Sequence, residues 1–156
     1  IELVPVKAVL AAQCTQLAGM VMLLVVLLFL GKWSLWLPFF VVIWLFQLIF
    51  SIGLTWILSS INVYIRDLQN IVSVLILVLM LVSPIAYTED MVPPEIRPFL
   101  AANPLYYLIV SYQDVLMLGQ FPRGEIFWIL IILSFITFAF GYWFFIKMKR
   151  VFMDNV

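Results

Sequence analysis

The sequence predicts an all-α, polytopic membrane protein with four transmembrane helices and a short re-entrant helix pair. Three observations carry that prediction. Of 156 residues, 67% are hydrophobic and 10% charged, whereas soluble domains carry about 25% charged residues. The sixteen charges leave four long charge-free gaps, each longer than the ~18–20 residues a helix needs to cross the hydrocarbon core. The remaining loop is punctuated by Pro and Gly at helix-starting and helix-stopping positions.

The gaps run from Ala8 to Gly31, Trp33 to Ile65, Leu68 to Thr88 and Ile126 to Ile146. They place spans at about 8–30, 37–59, 69–87 and 126–146 of a single transmembrane domain, 1–156. In the second gap Trp33, Trp36 and Pro38 suit an interfacial start, and Ser59, Ser60 and Asn62 an interfacial end. Ser83-Pro84, near the end of the third span, removes a backbone hydrogen bond and is expected to kink or end the helix. The chain opens on Ile1 rather than Met, which reads as part of a longer chain. A cleaved signal peptide is not expected, because the first apolar run exceeds the ~7–15 residues of such a segment.

The segment of about 92–119 is read as re-entrant. Asn103-Pro104 is an N-cap followed by a first-turn proline, Gly119 is a stop, and Pro93-Pro94-Glu95 is expected to start a second, shorter helix reaching Ala102. Between the punctuation marks Leu105, Leu108, Ile109, Tyr112 and Leu116 fall on one helical face, and Tyr107, Ser111 and Asp114 on the other. Such a run of ~10–14 residues is too short to span.

Four crossings put both ends on one side, with Lys7, Arg66, Lys147, Lys149 and Arg150 against Lys32, Arg97 and Arg123 on the other. The positive-inside rule makes the five-cation side cytoplasmic.

Chemistry is sparse. Absent His and a single Cys14 argue against zinc or haem, and zero net charge argues against nucleic acid as a partner. No ionisable residue lies inside the four spans, which argues against an ion-coupled transporter, and no nucleophile and base pair can be assembled, so an intramembrane enzyme is the least favoured reading. The sequence has no G-x-x-x-x-G-K-[ST] phosphate loop, so ATP would be held by another polypeptide. Gln47, Ser51, Thr55 and Ser59 recur every four residues in the second span, and Gln13, Gln16 and Gly19 every three in the first. These stripes suit helix packing or a substrate path. Ser134, Thr137 and Gly141 form a small-residue seam in the last span. Tyr87, Tyr106, Tyr107 and Tyr112 gather near the outer surface, where they can stack on sugars or anchor the interface. In the turn from Ser60 to Asn70, adjacent Arg66 and Asp67 cannot face each other on a helix and point to separate partners.

Asn62-Val63-x-x-Arg66-Asp67-x-x-Asn70-Ile71, Ser83-Pro84-Ile85-x-Tyr87, Val92-Pro93 and Asn103-Pro104-Leu105 together resemble the permease subunits of type-2 ABC transporters, in the branch exporting O-antigen, teichoic acid and capsular polysaccharide. The resemblance implies a six-span permease whose last four spans lie here, with both ends cytoplasmic in the bacterial inner membrane. It implies a homodimer enclosing the path, two cytoplasmic ATPase subunits that bind ATP and magnesium, and lipid-linked glycans as substrates. No cofactor is expected on this chain. Asn62, Tyr64, Arg66, Asp67 and Asn70 would face the ATPase, and Glu2-Leu3-Val4-Pro5 resembles the tail of the main coupling loop. Gln47, Ser51, Thr55 and the four tyrosines are candidates for the path, and Pro84, Pro93, Asn103, Pro104 and Gly119 for the kink and re-entrant pair. Two alternatives stand beside this reading: a type-2 permease for a drug or lipid, and a non-transporting membrane anchor or assembly subunit.

Overall fold

The computed structural model describes residues 3–65, 67–85, 87 and 91–153, the last four of them by backbone alone. Its helices are α1 (Leu3–Phe29), α2 (Phe40–Asn62), α3 (Leu68–Val82), α4 (Arg97–Ala101), α5 (Pro104–Leu116) and α6 (Gly124–Met153), with a 3-10 turn at Leu37–Phe39 ahead of α2. Among the described residues α1, α6 and the segment Leu37–Asn62 are long and apolar enough to cross a membrane, while α3 is a shorter apolar helix. The molecule is therefore all-α and polytopic.

Each boundary has a local cause. α1 ends where Gly31 takes φ +68. There the Gly31 and Lys32 amides return to the carbonyls of Leu28 and Leu27, both at 3.1 Å, the pair of bonds that closes a helix on a left-handed glycine. Pro38 sits in the first turn of the 3-10 segment, where its missing N–H costs nothing. The span read as reaching residue 87 is helical only to Val82, and the helix ends where Ser83-Pro84 was expected to kink or end it. Ser83 is already extended (φ −76, ψ 141) because Pro84 excludes helical geometry from the residue before it. The helix expected from Pro93 begins instead at Arg97, with Pro98 in its first turn. Pro94 restricts Pro93 in the same way.

α2 and α6 form the centre of the bundle and run parallel. Phe39 and Phe46 meet Phe127 at 5.3 and 5.9 Å, and further along Trp56 meets Phe138 and Tyr142 at 5.2 and 5.4 Å. Their closest approach is at glycines. A Cβ on Gly53 would come within 2.5 Å of the Thr137 carbonyl oxygen, and one on Gly141 would collide with the Gly53 carbonyl. The seam of Ser134, Thr137 and Gly141 thus packs against α2, with Ser134 fully buried and its hydroxyl donating to the Leu130 carbonyl. Small residues let helix backbones approach closely where lipid supplies no hydrophobic drive.

Parallel α2 and α6 begin at the same end of the bundle, and the Ser34 hydroxyl there donates to the Gly119 carbonyl at 2.5 Å. The α1–α2 loop and the segment between α3 and α6 therefore share one end. α5 is inserted there. Its Leu108 and Val115 join Ile43 and Phe50 of α2 and Leu130 of α6 in one core, while Tyr106 and Val110 join Leu100 and Ile126 in a second.

Candidate functional site

Two of the segments that carry the resemblance, Ser83-Pro84 and Asn103-Pro104-Leu105, meet in space at the start of α5. Asn103, extended at φ −84 and ψ 119, accepts from the Leu105 amide at 2.9 Å as an N-cap. Its amide nitrogen donates to Ser83 Oγ at 2.8 Å and to the Leu79 carbonyl at 3.2 Å. Ser83 Oγ itself donates to the same Leu79 carbonyl at 2.6 Å. One turn and a half into α5 from Tyr107, Gln113 donates to the Pro84 carbonyl at 2.6 Å. Asn103, Ser83 and Pro84 are all buried. The end of α3 and the start of α5 are thus tied into one knot, in which the break at Ser83-Pro84 presents the Ser83 hydroxyl to Asn103 and the Pro84 carbonyl to Gln113. Pro93 lies four residues ahead of α4, exposed, and its carbonyl accepts from the Ile96 amide at 3.0 Å.

A second polar cluster links α1, α2 and α5. Gln16 and Gln47 exchange reciprocal amide bonds at 2.9 and 2.8 Å. Tyr112 donates its hydroxyl to Gln47 Oε1 at 2.7 Å, and the Trp44 indole donates to Gln13 Oε1 at 2.8 Å. Gln47 lies seven residues into α2, so α5 reaches about 10 Å along the bundle. Thr55, by contrast, turns its hydroxyl to the Ser51 carbonyl of its own helix at 2.7 Å. The candidate path residues thus separate into Gln47 and Tyr112, which join three helices, and Ser51 and Thr55, which lie further along α2.

The tyrosines do not form one array. Tyr106 is buried and meets the Tyr107 ring at 5.3 Å, edge to face. Tyr107 donates to the Ala101 carbonyl at 2.8 Å, and Tyr87 to the Val82 carbonyl at 3.0 Å. Each of these hydroxyls closes a local turn rather than pointing at a neighbour's ring.

At the opposite end, α2 closes at Asn62, and the amides of Tyr64 and Ile65 return to the Ile61 carbonyl. Asp67 precedes α3 and accepts from the Asn70 side chain, a bond within the turn. Arg66 lies outside the described residues, as does Glu2. Asn62 also lines a cleft of about 280 Å³ with Leu58, Ser59, Leu68, Gln69, Val72 and Ser73.

The expected division of α5 into apolar and polar faces is corrected by its burial. Every residue from Pro104 to Leu116 is buried or half-buried, and Ser111 and Asp114 are 0% and 1% exposed. The helix is enclosed on all sides, so its polar residues needed internal partners. Ser111 donates to the Tyr107 carbonyl at 2.7 Å. Asp114 accepts from the Arg123 amide at 3.1 Å and pairs with its guanidinium at 3.4 Å. This pair, missed in the sequence, fastens the end of α5 to the start of α6. The signal was available: an acid on the short helix and a cation directly before the next one, where a negative charge also suits the helix N-terminus.

Long apolar helices, a hydrogen-bonded crosslink inside the bundle and a helix pair inserted at one end define a polytopic helical membrane protein. The chain belongs to the ABC-2 type transporter family, which matches residues 6–117. It is 33% identical over 127 residues to the O-antigen export system permease protein RfbA of Myxococcus xanthus, covering 80% of this chain and 49% of that protein. It is 34% identical over 108 residues to the protein of the same name from Klebsiella pneumoniae, covering 69% of this chain and 41% of that protein. The chain therefore spans about half the length of the relatives it matches. All the segments that carried the resemblance in the sequence, residues 62–71, 83–87, 92–93 and 103–105, fall inside the matched stretch.

Proposed function

We propose that this chain is part of the membrane-spanning permease subunit of an ATP-driven exporter that moves lipid-linked polysaccharide across the bacterial inner membrane. The relatives named as O-antigen export permeases support the substrate class. The single observation that carries the mechanism is the position of α2, which links the two ends of the bundle. Its last residue, Asn62, opens the turn to Asn70, while Gln47 is hydrogen-bonded to Tyr112 of α5.

In this reading the turn, with Asn62, Tyr64, Arg66, Asp67 and Asn70, faces a cytoplasmic ATPase subunit that binds ATP and magnesium. Two permease copies enclose the path, and both ends of the chain are cytoplasmic. Closure of the ATPase pair pushes on the turn, α2 carries the displacement as a stiff rod, and α5 follows through Gln47. Because α5 is also tied to α3 through Asn103 and to α6 through Asp114, it moves with the bundle rather than as a free flap. The tyrosine-bearing segment Tyr106–Tyr112 then shifts relative to a second copy and opens the outer end.

The test is reconstitution of the full-length permease with its ATPase in vesicles, with ATP hydrolysis and glycan export followed together. Lipid-linked glycan should stimulate hydrolysis, and Arg66→Ala or Asp67→Ala should lower export more than hydrolysis. Hydrolysis indifferent to glycan but raised by a drug or a simple lipid would replace the substrate class, and export unchanged in both variants would remove the turn from coupling.

A further inference from the structure

We propose that α6 carries a binding site for an anionic phospholipid at the end remote from α5, with the lipid phosphate on Lys147 and an acyl chain along Trp143 and Ile146. Tyr142, Trp143, Ile146 and Lys147 line a groove of about 530 Å³ on the surface of the helix. Lys147 Nζ lies 4.9 Å above the Trp143 ring. The groove has a firm wall, because Tyr142 is braced by Trp56 of α2 at 5.4 Å.

Four physical arguments select the occupant. The groove opens sideways on an apolar helix where Phe140, Tyr142 and Trp143 are exposed, so what enters from the side is a hydrocarbon chain. Trp and Tyr beside a Lys mark the level at which a helix leaves the hydrocarbon and meets lipid headgroups. Contact with the indole face directs the ammonium without consuming its three N–H donors, which suit phosphate oxygens. The charge matches as well: Lys147, Lys149 and Arg150 meet one acid, Asp154, between residues 147 and 154. Basic residues in the last turns of a membrane helix, at headgroup level, attract anionic lipid. A zwitterionic lipid offers the same chain but no net charge, so the preference for an anionic headgroup is the property to measure.

The experiment uses the full-length permease with its ATPase, purified and titrated with phosphatidylglycerol or phosphatidylcholine of identical chains, with bound lipid counted by native mass spectrometry. One basic side chain near the headgroup is expected to favour phosphatidylglycerol about fivefold. Lys147→Gln should bring the two lipids near parity, and Lys147→Arg should keep the preference. Equal retention by the wild type, or an unchanged preference in Lys147→Gln, overturns the site. Photoactivatable phosphatidylglycerol on the wild-type complex gives a reading that needs no variant to fold. Its label should map to residues 142–147 at about five times the yield of the phosphatidylcholine probe. Label absent from that stretch, as when a second copy or another segment of the permease covers the groove, also overturns it.

Discussion

Replacing Gly141 by alanine places a methyl group against the backbone of α2, where no side-chain rotation can remove it. The new Cβ would collide with the Gly53 carbonyl oxygen and stand 2.9 and 3.0 Å from the carbonyl carbon and Cα of the same residue. Ordinary van der Waals contact begins near 3.4 Å, so α2 and α6 must separate by about 0.5–1 Å. A gap of that size forfeits a quarter to a half of the dispersion energy across the seam. The rings of Trp56 and Phe138, now 5.2 Å apart, lie on the same seam. Overpacking of this kind costs about 1–3 kcal/mol, a 5-fold to 150-fold fall in the ratio of folded to unfolded protein. Gly53→Ala should behave alike, since its Cβ meets the Thr137 carbonyl and Phe138 backbone. Gly19→Ala is the control. Nothing lies within 4 Å of its Cβ, and alanine in a helix interior gains about 0.5–1 kcal/mol over glycine. Unfolding of the full-length permease in mixed micelles, followed by tryptophan fluorescence, reads all three. Gly141→Ala as stable as Gly19→Ala would refute the placement of the α2–α6 crossing at these glycines.

Tyr112→Phe removes one bond to Gln47 and should cost about 0.6 kcal/mol, the average for such bonds between membrane helices. Gln47→Leu leaves Gln16 and Tyr112 without their partner and should cost about 1–3 kcal/mol; the same micelle assay separates the two, and equal losses would contradict the shared acceptor. Asn103→Ala loses an N-cap and the tie to Ser83, worth about 1–2 kcal/mol, and hydrogen exchange should quicken at the start of α5 before it does in α2. Protection unchanged at Leu105 would argue against the cap.

Charge spacing made the long helices legible, because an ion inside the hydrocarbon is costly and so charges gather at helix ends. The same spacing overran at α3, where a charge-free gap continues to Thr88 although the backbone breaks at Ser83-Pro84. Charge spacing does not register a missing N–H, which the Ser83-Pro84 pair itself had marked. The capping pattern at Asn103-Pro104 was readable for a different reason: it depends on adjacent residues alone. For α5 the difficulty lay elsewhere. Periodicity sorts residues into two faces, but a helix enclosed on every side has no solvent face, so Ser111 and Asp114 went inward with partners the period does not encode. The glutamine stripes announced that α1 and α2 face something polar. That Gln16 meets Gln47, thirty-one positions away, depends on the tilt and register of two helices, which a single sequence does not contain.

The early end of α3 has a bearing on the bilayer itself. Fifteen helical residues rise about 22 Å, against a hydrocarbon core of about 30 Å. Its flanks, Ile71, Val74, Ile76, Leu77 and Leu81 among them, are exposed. Hydrophobic mismatch of this size is relieved by local thinning, at fractions of a kcal/mol per Å. Wherever acyl chains cover α3, the membrane would be dimpled on the side of α4 and α5, and its chain length would become a variable to which the protein responds.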